Sequence, residues 1–415
     1  MKDNFPTKKY KINFADIFAS FLNPNFLKLW IGLILIMSAM QIQTVARGFL
    51  VWELTSSAFK VGLVGGAGTF SMLSLSLIGG TFADRISKQK VMTFGQIIAT
   101  LVPATVTSLL YLDQLLWQHL FVASIIQGAA WAFIVPARQS MLPELVGKRL
   151  LSNAISLNGA GFSITILVGP IIGGILYEYI GPLGSYCAVV GLCLISLICT
   201  RLINIDKITL QATRPVKKFW PDLAEGVRYA YSNKLVLLLI LIGGSFVAFS
   251  FPFRMLLPAY IDLVYEKGPV ELGIMSGMIG VGSFIGSVSF AALGRTKRGL
   301  MLISTCFLCG TALLLISNVP IYLLGILFCL ILGFGETGRR VLDQALLVDN
   351  IDPIYHGRVT SLFTMTIGIT PFAVIPLGLL MDQYGGQITT NIMGICMLTF
   401  AFIIFATQKR LRNIN

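Results

Sequence analysis

The sequence predicts an all-α membrane protein in which twelve transmembrane helices form two pseudo-symmetric bundles of six. Its composition, its apolar segments and an internal repeat support this prediction. Hydrophobic residues make up 55% of the 415 residues, charged residues only 12%, and the mean hydropathy is +0.82. A soluble protein carries about 25% charged residues, and a disordered chain needs low hydrophobicity, so both classes are excluded.

Apolar segments long enough to cross a bilayer recur along the whole chain. A spanning helix needs about 20 apolar residues, so a chain of this length accommodates about twelve spans with their loops. The predicted spans are roughly 26–52, 59–82, 91–111, 116–140, 152–178 and 183–204, followed by 235–260, 269–293, 299–317, 320–342, 358–381 and 387–407.

The longest polar connection divides the chain into two halves. We predict a first six-helix bundle at 1–204, a cytoplasmic linker at 205–233 and a second bundle at 234–415. The first 24 residues lack the apolar core of a cleavable signal peptide. Apolar residues within them recur at i, i+3, i+4 and i+7, which predicts a short amphipathic helix on the membrane surface. These residues are Phe14, Ile17, Phe18 and Phe21.

The net charge of +13 is mainly a topology signal. With a cytoplasmic N-terminus, only Lys60 and Lys267 among the basic residues lie in outer loops, and Arg47 and Arg254 lie within spans. The other basic residues lie at or near the cytoplasmic side, as the positive-inside rule requires. We therefore predict a multi-pass protein of the inner (plasma) membrane with both termini cytoplasmic. The charge indicates contact with anionic lipid headgroups and not with nucleic acid.

The two halves repeat each other's sequence pattern. The run GGILYEYIG at 173–181 ends the fifth span and LGLLMDQYGG at 377–386 ends the eleventh, with Glu178 and Asp382 in matching places. A repeat of six spans is typical of secondary transporters, in which the substrate binds near the membrane midplane between the halves.

The loop after the second span carries a glycine, an acidic residue and several basic residues in a defined order. The run GGTFADRISKQK at 79–90 resembles the main signature of the major facilitator superfamily, G-x-x-x-D-[RK]-x-G-[RK]-x-[RK], with Ser87 in place of the usual Gly. The resemblance implies that this loop holds the cytoplasmic side shut in the outward-facing state, by ion pairs and contacts with helix ends. The matching residues are Gly80, Asp84, Arg85, Lys88 and Lys90, and the implied partners are Arg138 and Glu144.

Three further segments are similar to the branch of that superfamily that exports siderophores and drugs, the enterobactin-exporter-like branch. They lie at 45–65, 141–158 and 335–361, so the resemblance covers nearly the whole chain. It implies the major facilitator fold and a secondary transporter that exports a small organic molecule by proton antiport. Its partners would be this molecule, protons and the lipid bilayer.

The fifth span contains the run GPIIGG, whose glycines and proline resemble the antiporter signature of exporting members. The matching residues are Gly169, Pro170, Gly173 and Gly174, whereas Thr165 and Ser156 replace further glycines of the full signature. Proline removes a backbone hydrogen bond, and small residues allow close helix packing. The alternative is an ordinary packing helix rich in Gly and Pro.

Two arginines lie within predicted spans, where an uncompensated charge costs about 3 kcal/mol. Arg47 shares a helix face with Gln43 in the first span, and Arg254 lies near the corresponding place in the seventh. One hypothesis is that both arginines bind an anionic substrate in the central cavity. The alternative is local pairing, for example with Glu53 or Asp262.

Glu336 in the tenth span is a candidate proton carrier. A carboxylate in the membrane can take up and release a proton during a transport cycle. The alternative is that Arg339 and Arg340 pair with Glu336 and with Asp343. On the fourth span, Gln127 and Trp131 share a face and are candidates to line the cavity, with ordinary helix packing as the alternative.

The leading prediction is an exporter, and three alternatives remain. They are an importer or proton symporter, a non-transporting polytopic membrane protein and a membrane enzyme. An enzyme should show clustered His, Asp or Glu at one membrane face, and no such cluster is found. The nucleotide-binding pattern G-x-x-x-x-G-K-[ST] is also absent from the sequence. We expect no enzymatic activity, no metal, no cofactor and a monomer.

Overall fold

A computed structural model describes residues 18–85, 87–204, 219–292, 297–352 and 355–414. The side chains of 76–85, 219–224, 226, 356 and 361 are also left undescribed. Within the described parts of the chain the secondary structure is helical, with no β-strand. Residues 1–17 lie outside them, so the predicted amphipathic helix is covered only at its end, where a short 3₁₀ helix spans Ala19–Leu22.

The α-helices are labelled in chain order. The first run is α1 (Pro24–Thr55), α2 (Ala58–Arg85), α3 (Lys88–Tyr111), α4 (117–146), α5 (148–180) and α6 (182–201). The second is α7 (Phe219–Ser232), α8 (Lys234–Phe249), α9 (Phe251–Tyr265), α10 (Pro269–Ala292), α11 (Arg298–Asn318), α12 (Tyr322–Asn350), α13 (His356–Met365), α14 (Thr370–Tyr384), α15 (Gly386–Thr407) and α16 (Lys409–Arg412).

The described chain crosses the membrane twelve times, as predicted. Ten helical stretches are long and apolar enough to span a bilayer. One of them, Trp117–Arg201, is interrupted at Gly147 and Gly181, whose φ angles of 67° and 71° lie outside the helical region. Glycine adopts positive φ at little cost, so these residues form the tight turns that separate α4, α5 and α6. The single stretch therefore contributes three spans.

Two spans of the second half are interrupted, although the sequence predicts each of them as one continuous helix. The seventh span divides at Ser250 into α8 and α9, and Pro252 lies in the first turn of α9. The eleventh span divides at a 3₁₀ turn, Thr366–Ile369, and Pro371 lies at the start of α14. Proline cannot donate the backbone hydrogen bond that would continue the preceding helix, which explains both positions.

Both ends of the described chain lie at the same end of the bundle, which we call the proximal end. The Ser20 hydroxyl donates a 2.6 Å hydrogen bond to Oδ1 of Asn153 at the start of α5. At the other end of the chain, the backbone N–H of Gly299 in α11 donates to the carbonyl of Ile414 at 3.3 Å. The opposite end, where α1 ends and α2 begins, is the distal end.

The second part of the predicted linker is helical. Helix α7 packs on α13, where Tyr229 stacks on Tyr355 with ring centroids 4.2 Å apart and Glu225 pairs with Arg358 at 2.8 Å. Residues 205–218 lie outside the described chain. The division into two domains at this linker stays a prediction.

The two halves meet from the distal end to about the middle of the bundle, along what we call the seam. Helix α2 packs against α14, and helix α5 packs against α10. At Gly62, an added Cβ would lie 3.1 Å from the carbonyl of Val374. At Gly174 it would lie 2.3 Å from the carbonyl of Pro269, so that position admits no side chain in this conformation. The spans that pack across the seam are thus the second with the eleventh and the fifth with the eighth, a pseudo-symmetric pairing.

Candidate substrate and coupling site

At the proximal end, the beginning of α3 contacts the end of α4. The ammonium group of Lys88 pairs with the carboxylate of Glu144 and donates to the carbonyl of Ser140 at 3.3 Å. Nη1 of Arg138 is buried without a hydrogen-bond partner among the described residues. The side chains of Asp84 and Arg85 are not described by the structure. The implied pairing of Asp84 with Arg138 therefore stays a prediction.

At the distal end, Asp382 binds the beginning of α2 across the seam. Its carboxylate accepts hydrogen bonds from the Ser57 hydroxyl at 2.7 Å and from the backbone N–H groups of Ala58 and Phe59 at 2.5 and 3.1 Å. Free N–H groups and the positive end of the helix dipole both favour a carboxylate at this place. Asp382 at the end of α14 therefore acts as a cap for a helix in the other half.

The matching acid of the first half occupies the symmetric place. Glu178 lies near the end of α5 and approaches the start of α10, where a Cβ added to Gly268 would lie 3.0 Å from Oε2 of Glu178. The sequence repeat placed Glu178 and Asp382 in register, and the structure places each of them at the start of a helix in the opposite half.

Replacing Asp382 with Asn should loosen distal closure. Loss of a capping side chain typically costs about 1 kcal/mol, and Asn keeps only part of the interaction because it lacks the charge. We expect a roughly threefold to tenfold shift away from the distal-closed state, measured as a longer distance between spin labels at Leu54 and Tyr384. Asp113→Asn is the control, because Asp113 lies in the distal turn after α3. An equal distance shift in both variants would contradict the capping role.

The Gly/Pro run of the fifth span packs on both sides. A Cβ at Gly169 would lie 2.6 Å from the Cβ of Gln41, and one at Gly173 would lie 3.0 Å from the Cα of Ile42, both in α1. On the opposite side, the carbonyl of Pro170 lies 2.5 Å from a Cβ built on Gly273 of α10. The run thus allows α5 to lie between α1 and α10, which joins the two halves.

Arg254 of α9 pairs with Glu336 of α12. Nη1 of Arg254 lies 3.3 Å from Oε2 of Glu336. The Glu336 side chain is almost fully buried, with 6% exposed, whereas 31% of the Arg254 side chain is exposed. The second carboxylate oxygen, Oε1, is buried and has no hydrogen-bond partner among the described residues. One oxygen of the Glu336 carboxylate can therefore accept a further hydrogen bond, and part of the Arg254 guanidinium side chain is accessible.

This pair corrects two of the alternatives considered from sequence. Among described residues, Glu336 forms no salt bridge with Arg339 or Arg340 of its own helix, and Arg254 forms none with Asp262. Asp262 instead accepts a 2.9 Å hydrogen bond from the indole of Trp52. Spacing along a single helix does not reveal a partner on another helix, which is why the expected local pairing of Glu336 was wrong.

A second, buried ion pair lies on α12, one to two turns after Glu336. Arg339 pairs with Asp343 at 3.1 Å, as the spacing predicts, and the side chains are 5% and 0% exposed. The guanidinium of Arg339 also lies 4.2 Å from the ring centroid of Phe246 in α8. The two ion pairs face the break between α8 and α9. Phe246 is separated from Arg254 by two helical turns, and its sequence context of apolar neighbours gave no sign of this contact.

Ser250 lies at the break itself. Its hydroxyl is buried, and it interacts with the carboxylate of Glu336 without forming a hydrogen bond of regular geometry. Ser250 lies four residues before Arg254, and residues at i and i+4 share a helix face. This spacing could have predicted from sequence that Ser250 lies near the Arg254 site.

Arg47 lies beside the seam and not directly opposite Arg254. Its neighbour Gly48 faces Pro258 of α9, and successive helical residues differ by about 100° in direction. Arg47 therefore turns away from that contact, toward Tyr186 of α6, with which it interacts electrostatically. It lies deep in the protein with part of its surface accessible, and it forms no salt bridge with a described carboxylate, Glu53 included.

The remaining selected polar residues are buried. Gln43 is 4% exposed and Gln127 and Trp131 are each 6% exposed. Trp131 packs with apolar residues of α1, α3 and α4, among them Leu33, Ile36 and Ala99. Oε1 of Gln127 has no hydrogen-bond partner within the described residues. Trp131 thus contributes to helix packing. Gln127, one turn before Trp131 on α4, has a side-chain oxygen that can still accept a hydrogen bond. Their roles in substrate binding stay predictions.

Comparison with known proteins identifies the family. The sequence profile of the Major Facilitator Superfamily matches residues 29–373. The chain belongs to the Major Facilitator Superfamily. It is a transporter of this superfamily, with the twelve-span fold that the signature after the second span implied.

Two of the relatives to which the chain is similar are named as exporters. The chain is 25% identical over 390 residues to the multidrug efflux pump Tap of Mycolicibacterium fortuitum, covering 90% of this chain and 93% of that protein. It is also 25% identical over 327 residues to the enterobactin exporter EntS of Shigella boydii, covering 75% of this chain and 74% of that protein. The expected exporter-like branch of the superfamily is confirmed by these relatives.

A solved structure agrees with the fold. A mutant of the nucleoside transporter NupG superposes with a TM-score of 0.78, covering 93% of this chain and 100% of that chain at 12% identity. At this identity the similarity concerns the fold alone.

Proposed function

We propose that this protein exports a small organic molecule in exchange for protons, by alternating access of its two halves to the two sides of the membrane. The names of the relatives support export of drug-like or siderophore compounds. In this proposal the proximal end is cytoplasmic, which the distribution of basic residues in the sequence favours. The contacts along the distal part of the seam then correspond to an inward-facing conformation.

The observation that carries the proposal is the ion pair between Arg254 and Glu336. A charge within the membrane is costly unless it is paired or functional. Glu336 keeps one oxygen without a partner, beside a helix break that separates two rigid segments. A carboxylate in this position can bind either a proton or a hydrogen-bond donor of the substrate. Movement at the helix break then couples the occupant of Glu336 to opening or closing of the seam.

Antiport sets a condition on the substrate group that meets Glu336. The substrate and the proton must compete, so each must bind the same ionised carboxylate. A hydrogen-bond donor or a cationic group at Oε1 satisfies this condition. An anionic group held by Arg254 does not, because it would be favoured when Glu336 is protonated, and the proton would then move with the substrate.

The hypothesis of an anionic substrate therefore depends on Arg47. This arginine has no described carboxylate as a partner, and the hydroxyl of the neighbouring Tyr186 is buried without a hydrogen-bond partner. An anionic group bound there is separate from Glu336, so it is compatible with antiport. Arg254 serves instead as the internal counter-charge of Glu336.

Proton flux in inside-out vesicles tests the proposed function. Respiration acidifies the vesicle interior, and addition of an exported compound is expected to dissipate that gradient and to accumulate the compound inside. Enterobactin and a panel of antibiotics serve as probes, and a protonophore should abolish accumulation. Probes that leave preloaded vesicles together with protons would instead identify a symporter and overturn the antiport proposal.

Arg47 variants test the anionic group. Arg47→Gln is expected to raise the KM for an anionic probe by about tenfold, which corresponds to about 1.4 kcal/mol. Arg47→Lys keeps the charge and should retain most of the affinity. A neutral probe is the control, because its KM should change little in either variant. An equal increase for the neutral probe would show that Arg47 acts through packing.

A further inference from the structure

A basic cleft lies at the proximal end of the second half, away from the candidate substrate site. Its volume is about 440 Å³, and it is lined by Lys297, Leu300, Arg412 and Asn413. It lies where α11 begins and where the chain continues beyond α15 into α16. Both α11 and α15 are apolar enough to span a bilayer, so the cleft lies at the level where the membrane core meets the headgroups.

The cleft is preformed by close packing of the C-terminal segment on α11. A Cβ added to Gly299 would lie 1.8 Å from the carbonyl of Leu411, so the two segments approach more closely than any side chain allows. The N–H of Gly299 donates to the carbonyl of Ile414, and the Leu411 side chain is buried. The walls of the cleft are therefore held in place before any ligand arrives.

The lining combines positive charge with apolar surface. Lys297 and Arg412 provide two cationic groups, and Leu300 provides an apolar wall. The guanidinium of Arg412 lies 4.9 Å from the ring centroid of Phe405, an exposed aromatic residue near the end of α15. A ligand that fits this lining carries a negative group next to an apolar part.

The surroundings increase the positive potential of the cleft. Lys409 and Arg410 are exposed on α16. Asp349 of α12, an acid that contacts the beginning of α11, pairs with Arg298 at 2.7 Å. Basic pockets between transmembrane helices at the cytoplasmic face are a setting in which anionic lipid headgroups bind.

We infer that this cleft binds the phosphate of an anionic phospholipid, with Lys297 and Arg412 on the headgroup and with Leu300 and Phe405 against the start of the acyl chains. A dissolved anion fits less well, because it has no apolar part to cover Leu300 and the exposed ring of Phe405. The site is independent of transport, and it ties the beginning of α11 and the end of the chain to the membrane surface.

Native mass spectrometry of the full-length protein in detergent tests the inference. Phosphatidylglycerol and phosphatidylcholine with the same acyl chains are compared, and phosphatidylglycerol should be retained more strongly. In the double variant Lys297→Gln/Arg412→Gln, its apparent affinity should fall about tenfold, to the level of phosphatidylcholine. The matched control is Lys148→Gln/Arg149→Gln, which removes two exposed basic residues at the proximal end of the first half.

Three outcomes would overturn the inference. They are unchanged retention in the double variant, an equal loss in the control variant, and displacement of the lipid by an equal concentration of inorganic phosphate. If the double variant does not fold, a photoreactive phosphatidylglycerol analogue on the wild-type protein gives the answer. Its cross-links should map to peptides containing 297–300 or 405–413, and cross-links elsewhere would contradict the site.

Discussion

Replacing Glu336 with Gln is expected to make substrate binding independent of pH and to abolish proton-driven accumulation. In the wild type, the proton and the substrate compete for the same carboxylate. Acidification should therefore weaken substrate binding, by up to about tenfold per pH unit where competition is complete. Gln cannot ionise, so this dependence should vanish, and accumulation in inside-out vesicles should fall to the level seen with a protonophore.

The fold should survive this change with a modest loss of stability. Breaking a buried ion pair leaves the other charge without compensation, which costs 3–5 kcal/mol for a fully buried pair. Here 31% of the Arg254 side chain stays exposed, so we expect about 1 kcal/mol. The double variant Glu336→Gln/Arg254→Gln removes both charges and should recover part of this loss without recovering proton coupling.

Asp349→Asn is the matched control for Glu336→Gln. Asp349 is a carboxylate of the same helix, α12, and it also pairs with an arginine, Arg298, but at the proximal surface with 42% of its side chain exposed. This variant should keep the pH dependence of substrate binding. A Glu336→Gln protein that still accumulates substrate in response to a proton gradient would exclude Glu336 as the proton carrier.

The fold followed from the sequence because its determinants are local. Twelve apolar segments of sufficient length predict twelve spans, and the positive φ of Gly147 and Gly181 only separates spans that apolar length had already delimited. The break at Ser250 was not predicted, although Pro252 lies two residues later. A proline is tolerated within membrane helices, so its presence alone does not distinguish a bend from an interruption.

The partners within the site did not follow from the sequence, because they depend on tertiary contacts. Spacing along α12 predicted the pair of Arg339 with Asp343, which lies within one helix. It suggested the wrong partner for Glu336, because Arg254 comes from another helix. Asp382 was recognised as the repeat of Glu178, but the repeat gave no indication that its carboxylate caps α2. The missing information is how each helix packs on its neighbours, both within a half, as for Arg254 and Glu336, and across the seam, as for Asp382 and α2.

Replacing Gly174 with Ala is expected to block closure of the distal end. The added Cβ would lie 2.3 Å from the carbonyl oxygen of Pro269, a backbone atom of α10 in the other half. Restoring an ordinary contact of about 3.5 Å requires α5 and α10 to separate by about 1 Å. Overpacking of this kind costs about 1–3 kcal/mol, and this cost applies only to the conformation in which the two helices touch.

Because one conformation is penalised and the other is not, the variant should shift the balance between the two states. A cost of 1–3 kcal/mol changes a two-state ratio by about five- to 150-fold. The distance between spin labels at Leu54 and Tyr384 should lengthen, and transport should slow at least tenfold because each cycle requires distal closure.

Gly159→Ala on the same helix is the matched control. No atom lies within 4 Å of a Cβ built on Gly159, so this substitution makes the same chemical change to α5 without a clash. If both variants slow transport equally, the effect belongs to the flexibility of α5 and not to its contact with α10. If only Gly174→Ala lengthens the distal distance, the Gly/Pro run of the fifth span acts by allowing the two halves to close.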